Sequence, residues 1–257
     1  MNLGLTGRTA FVAASSQGLG LACAVALARE GVEVTLNGRD EVKLAEAATQ
    51  LAAISPVPWV VADLTAADGR SAIVEALPEV DILVTNNAGP APGALEDWDE
   101  DALVGALRAN MVPAVELMRS YIPGMQKRRF GRVVNVTSAM VTSPAYEMGL
   151  STSARASLTA ISKSISRSVA RDNVTVNNLL PERIDTPRQE FMATRLMDAD
   201  GIGREEARRR ISSTIPAGRF GRPEEFGDAC AYLCSAQAGY ISGQNLHLDG
   251  GSYRGLV

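Results

Sequence analysis

Residues 9–20, Thr-Ala-Phe-Val-Ala-Ala-Ser-Ser-Gln-Gly-Leu-Gly, run directly into Leu-Ala-Cys-Ala-Val-Ala-Leu-Ala-Arg-Glu-Gly at 21–31, and this stretch decides the fold. Thr9 to Ala14 is an apolar run of strand length, and Leu21 to Glu30 is an amphipathic helical run. Ala13 to Gly20 forms the turn between them, Gly31 stops the helix, and Val32 to Leu36 begins a second strand. A phosphate group needs bare backbone N–H groups at the positive end of a helix. Gly18 and Gly20 provide bare backbone at the helix start, so the stretch predicts a dinucleotide site.

The same rhythm continues outward. Further apolar strand candidates are Val57–Ala62, Ile82–Thr85, Arg132–Val136, Thr175–Leu180 and Asn245–Leu248. Helical patterns separate them at Gly20–Glu30, Glu41–Ala53, Ala66–Leu77, Asp99–Lys127, Ser151–Arg171 and Pro223–Ser235. The strands are rich in Val, Leu and Ile with little alternation, as expected when helices cover both sheet faces. The expectation is an α/β chain, a single-domain Rossmann doubly wound parallel sheet of about seven strands over residues 1–257. One charged segment, residues 183–215, breaks the rhythm between the sixth and seventh strands. It reads as a solvated helix pair, and also as a substrate lid, because insertions at strand C-terminal ends border ligand sites.

At 257 residues, 46% hydrophobic and 21% charged, the chain has the composition of an ordinary globule with a sizeable core. A net charge of −4 argues against nucleic acid as the main partner. No apolar run reaches membrane-spanning length, and no secretory pattern leads the chain. Cys23, Cys230 and Cys234 read as small buried apolar residues in a reducing, cytoplasmic setting, not as metal ligands. His247 is the only histidine, which leaves a Ser-His-Asp hydrolase or a histidine metal site little to build on.

Other elements fall in order behind the turn. Asp63-Leu64 ends the third strand, Asn86-Asn87-Ala88-Gly89 the fourth and Ser138 the fifth. Asn110 lies mid-helix, Pro181 and Thr186 follow the sixth strand, and Asp249-Gly250-Gly251 closes the last. On these residues the chain resembles the classical short-chain dehydrogenases/reductases, most of all the 3-oxoacyl-acyl-carrier-protein reductase branch. The resemblance implies hydride transfer between a nicotinamide cofactor and a small carbonyl-type substrate. It places Ser15, Ser16, Gln17, Gly18, Leu19 and Gly20 in the cofactor turn and Asp63 and Leu64 beside the adenine. Asn87, Ala88 and Gly89 then line a ribose, and Thr186 holds the nicotinamide amide or the pyrophosphate. The family turn begins Thr-Gly, where this chain has Ala13 and Ala14.

The end of the second strand selects the cofactor. An acidic residue there would accept the ribose hydroxyls of NAD. The chain instead has Leu36-Asn37-Gly38-Arg39, and a guanidinium can fork onto a 2'-phosphate. NADP(H) is therefore expected over NAD(H); stacking on adenine or capping a turn is the other use of Arg39.

The catalytic motif departs from the family. Where the family's Tyr-x-x-x-Lys pair belongs, this chain has Ser151 and Arg155. An aliphatic hydroxyl is a far weaker acid than a phenol, which has a pKa of about 10. Hydride delivery needs geometry and the cofactor, whereas proton delivery needs an acid worth typically ~10²–10⁴-fold in rate. Candidate contributors are Ser138 as a hydrogen bonder, Asn110 as a water holder by resemblance, and Tyr146 as a stand-in phenol with Arg155 or Lys163 beside it. Glu182, where the family has glycine, is either an acid or a solvent-facing carboxylate. Met140 and Met148 line an apolar pocket or pack in the core. Two readings follow: an NADP(H)-dependent oxidoreductase with an atypical proton donor, or a catalytically silent NADP(H) sensor or assembly partner. A small-molecule substrate is expected, with no nucleic acid, membrane or metal. By resemblance the assembly is a homotetramer, otherwise a homodimer.

Overall fold

The computed structural model describes residues 2–256. Its strands are β1 (Thr9–Val12), β2 (Glu33–Gly38), β3 (Trp59–Val61), β4 (Ile82–Thr85), β5 (Gly131–Val136), β6 (Val174–Pro181) and β7 (Asn245–Leu248). They form one seven-stranded sheet in the order β3-β2-β1-β4-β5-β6-β7, and every pairing is parallel. β1 pairs with β2 on one side and β4 on the other, Val12 lying opposite Leu36 and Val84. The strand order reverses there, and a crevice opens at the strands' C-terminal ends.

The helices are α1 (Gly18–Arg29), α2 (Glu41–Leu51), α3 (Ala67–Ala76), α4 (Glu100–Asn110), α5 (Val112–Arg128), α6 (Gly149–Val169), α7 (Pro187–Asp200), α8 (Arg204–Ser213) and α9 (Pro223–Cys234). They cover both faces. Ala10 and Val12 of β1 join Leu27 of α1 and Phe226 of α9 in one core. Phe11, the residue between them, joins Leu117 and Tyr121 of α5 and Leu158 of α6 in the other. Successive strand side chains point to opposite faces, so both faces are apolar and alternation disappears from the sequence. The three cysteines are free and buried, and Cys23, Cys230 and Cys234 pack in the first core.

One expectation changes. The helix expected over Asp99–Lys127 is two helices that part at Met111. Pro113 has no N–H to donate, and it disfavours a helical conformation in the residue before it. Segment 183–215 holds α7 and α8, which bury Ala193, Ala207 and Ile211 between them with Phe220 alongside. Its arginines form ion pairs: Arg204 and Arg208 with Glu190, Arg208 with Asp185, Arg209 and Arg210 with Glu206. That charge is a local network on a helix pair.

Candidate active site

The turn expected at Ala13–Gly20 leads straight into the first turn of α1. The backbone N–H groups of Gly18, Leu19 and Gly20 find no acceptor among the described residues, the normal state of helix-start donors that await a ligand. Gly18 holds a left-handed φ of +61°, a conformation glycine adopts without penalty. Gly20 serves packing: a Cβ there would lie 2.4 Å from the Ala14 carbonyl oxygen. Ala14 itself sits at φ +46°, so the chain holds an alanine where its turn asks for a glycine.

A buried polar knot fixes this turn to the sheet. Ser15 Oγ donates to the Val12 carbonyl at 2.7 Å and accepts from the Asn37 amide at 3.0 Å. Asn37 Nδ2 donates to the carbonyls of Val60 and Ala62, and its Oδ1 accepts from the Ala14 amide. Ser15 is fully buried and does not border the cavity, which corrects its expected cofactor contact to that of a strut. Gly20 is buried in the first turn of α1.

One cavity of about 950 Å³ collects most of the other expected residues. Ser16, Gln17, Gly18, Leu19, Arg39, Asp63 and Leu64 line one end. Asn87, Ala88, Gly89 and Thr186 line the middle, and Ser138, Tyr146, Ser151 and Arg155 the other end, with Met140 and Met148 among the walls. Arg39 is exposed, and its Nη1 lies 3.8 Å from the Asp63 carboxylate. The Thr65 amide and then its hydroxyl hold the Asp63 carboxyl below its usual range, with Arg39 adding to the effect.

Arg155 is 9% exposed and has no carboxylate partner among the described residues. Its Nη1 donates to the carbonyls of Val136 (2.8 Å) and Thr137 (3.1 Å), its Nη2 to that of Asn87 (3.1 Å), and its Nε to Ser151 Oγ (3.4 Å). The guanidinium thus joins α6 to the ends of β4 and β5 and keeps one N–H for a ligand. Burial, with the charge of Arg188 adding to it, pushes its pKa down to about 10. Ser151 Oγ faces Gly89: a Cβ on Gly89 would come within 3.2 Å of it and 3.5 Å of Arg155 Nη2. The bare backbone at Gly89 therefore leaves room beside Ser151 and Arg155.

The proton-donor candidates separate. Tyr146 is 63% exposed at the rim, and its hydroxyl accepts from the Leu95 amide at 3.0 Å. Lys163 Nζ donates to the Gly243 carbonyl and does not border the cavity, so it is no neighbour for a phenol there. Asn110 ends α4, buried, with its Oδ1 unpartnered. It borders a second cavity of about 10 Å³, shared with Asn87 and Arg155, which has room for about one water. His247 Nε2 lies 3.2 Å from Thr142 Oγ1, and the ring stacks on Tyr253. Glu182 borders the cavity. Burial, aided by Asp249, raises its pKa against the opposing charges of Arg183 and His247. Sequence reasoning missed Arg183, Arg188 and Gln189, which line the same cavity; a pair of cations around Thr186 was the available signal.

Residues 13–253 match the family described as Enoyl-(Acyl carrier protein) reductase. This chain belongs to the short-chain dehydrogenase/reductase family. It is 32% identical to an uncharacterized oxidoreductase, YvaG, of Bacillus subtilis over the full length of both. It is also 32% identical to the 3-oxoacyl-(acyl-carrier-protein) reductase FabG of Rickettsia bellii, covering 96% of this chain and 97% of that one. Among solved structures, L-sorbose reductase from Gluconobacter frateurii, complexed with NADPH and L-sorbose, superposes with a TM-score of 0.94 at 28% identity over all of both chains. The sheet order and helix layering are thus those of short-chain dehydrogenases/reductases. Among the described residues, no helix is long and apolar enough to cross a membrane, and no group of three or more His, Cys, Asp or Glu could hold a metal.

Proposed function

We propose that this protein is an NADP(H)-dependent oxidoreductase that moves hydride between the nicotinamide and a carbonyl-type substrate, with an atypical proton donor. Resemblance makes 3-oxoacyl compounds the reference substrate. The observation that carries the reading is one cavity shared by the glycine turn, Arg39, Ser138 and the Ser151–Arg155 pair. The unpartnered N–H groups at the start of α1 fit a pyrophosphate, and the bare Gly89 fits a ribose. NADPH in the L-sorbose reductase structure supports the phosphorylated cofactor.

In this reading Gly18 and Leu19 hold the pyrophosphate with Ser16 and Gln17 beside them, and Arg39 meets the 2'-phosphate. Asp63 and Leu64 flank the adenine, Asn87, Ala88 and Gly89 border a ribose, and Thr186 holds the amide or the pyrophosphate. A bound nicotinamide supplies or accepts hydride. Ser138 and Ser151 present hydroxyls to the substrate oxygen. Arg155 stays cationic at neutral pH, orients Ser151 through Nε, and offers its last N–H to a ribose hydroxyl. The unpartnered Asn110 Oδ1 holds a water near Arg155. Tyr146 reaches this group only by leaving Leu95. Substrates that need little acid help, such as an iminium or an activated double bond, suit this donor set. Residues 183–215 act as the lid over the substrate end.

The arrangement of Tyr146 also supports a second reading, a silent NADP(H) sensor or assembly partner. Cofactor consumption across ketones, imines and enones separates the two. The enzyme reading expects turnover that Ser138→Ala lowers by about 10²-fold; tight NADPH binding without oxidation of any substrate favours the sensor. Ser151→Tyr with Arg155→Lys is expected to raise ketone reduction. The buried free thiols support a reducing, cytoplasmic setting, and resemblance supports a homotetramer over a homodimer.

A further inference from the structure

Two kinds of arginine occupy the region from β6 to α9. Arg204, Arg208, Arg209, Arg210, Arg219 and Arg222 each hold a carboxylate. Arg183, Arg188 and Arg195 hold none among the described residues, and of these Arg183 and Arg188 line the cavity. Arg188 is the second residue of α7. Its guanidinium lies over the ring of Phe191, 5.3 Å from the centroid. Burial pushes its pKa down, and Arg195 adds to that. Arg183 has a left-handed φ of +54° and a buried Nε without a partner. Gln189, the next residue of α7, is 9% exposed, borders the cavity, and has its amide oxygen buried and unpartnered. The amide nitrogen, the other end of the same group, carries two N–H donors.

A half-buried guanidinium without a counter-charge carries a desolvation cost, and an anion relieves it. The start of α7 adds its dipole and the Arg188 amide with the same sign preference, while the amides of Gln189 and Glu190 donate to the Thr186 carbonyl. The walls beside these donors are apolar: Met140, Met148, Phe191 and Met192. Among the described residues no carboxylate of the cavity forms an ion pair with either arginine: Asp63 lies with Arg39, Glu147 has none, and Glu182 feels the charge of Arg183 without an ion pair. From the unpaired Arg183 and Arg188, the buried Gln189 amide and the apolar wall together, we infer that the substrate is an organic carboxylate with an apolar body, its acid group held at the start of α7. This rests on the oxidoreductase reading and names the substrate class for that site. The same donors also suit a cofactor phosphate, so the test separates the two anions.

The test uses the full chain and isothermal titration. NADP+ is titrated first, then 2-oxo-4-phenylbutanoate and, separately, its ethyl ester into the NADP+-loaded protein. The acid is expected to bind at least about tenfold tighter than the ester, the scale of one charge-assisted contact. Arg188→Ala, and independently Arg183→Ala, should erase that preference and leave NADP+ affinity within about twofold, with an unchanged circular dichroism spectrum. Equal binding of acid and ester, or binding of neither, overturns the inference while NADP+ binding keeps the oxidoreductase reading. A tenfold loss of NADP+ affinity in Arg188→Ala also overturns it and assigns that arginine to a cofactor phosphate. Failure of the unaltered protein to bind NADP+ overturns both.

Discussion

Arg155 Nη2 donates to the carbonyl of Asn87 at 3.1 Å, across 68 residues of sequence. With the bonds to Val136 and Thr137, this makes one buried cation the tie between two neighbouring strand ends. Arg155→Ala leaves three carbonyls facing a hole and should cost about 3 kcal/mol of stability. Arg155→Lys keeps the charge with fewer, less directed donors and should cost less. Urea unfolding checks both; loss of activity at unchanged stability would give Arg155 a purely chemical role.

Ala14 occupies φ +46°, where a Cβ costs roughly 1–2 kcal/mol. Ala14→Gly removes that strain but gains unfolded-chain entropy, so a net rise in stability of about 0.5–1 kcal/mol is expected. A rise in Tm of about 1–4 °C would report it. A lower Tm would show that the alanine methyl contributes more by packing than it costs in strain.

Arg39 carries the proposed choice of cofactor. Arg39→Ala should weaken NADP+ binding about tenfold, the scale of a charged hydrogen bond, and leave NAD+ binding within about twofold. Because the side chain is 73% exposed, the wild-type preference should shrink as ionic strength rises. Fluorescence titration with both nucleotides at two salt concentrations measures this; equal losses for both would reassign Arg39 to the adenine.

Tyr121 is buried on α5 with its hydroxyl donating to the Leu77 carbonyl at 3.0 Å, and burial pushes its pKa up to about 12 from 10.0. The folded state therefore keeps a proton that the unfolded chain releases near pH 10. The stability this confers is complete below pH 10 and is lost as pH rises towards 12, by up to about 2 kcal/mol. Tyr121→Phe should flatten that part of the alkaline stability curve, at a cost near neutral pH of about 1 kcal/mol for the lost hydrogen bond. An unchanged slope between pH 10 and 12 would place the alkaline sensitivity elsewhere.

Local pattern carried most of the fold. Seven apolar runs separated by helical ones can bury both sheet faces in only a few ways, and β1 to β7 appear where those runs lie. The break at Met111 was partly legible through Pro113, whose nitrogen has no N–H to continue a helix. The site was legible as residue types at strand ends, because the fold delivers every strand's C-terminal end to one edge. What each side chain does there was less so. Ser15 sits in the fingerprint turn yet faces Asn37, a partner 22 residues away.

The sequence by itself determined the layered parallel sheet, the glycine turn at the start of a helix, and the spacing that puts Ser151 and Arg155 one helical turn apart. These depend on periodicity and on chemistry between chain neighbours. Only the tertiary structure decided that Arg155 holds three backbone carbonyls, that Tyr146 is held at the rim by Leu95, and that Arg183 and Arg188 line a cavity with no ion-pair partner among the described residues. Those facts depend on which groups meet across the fold, and burial then sets what each charge costs and which partner it needs.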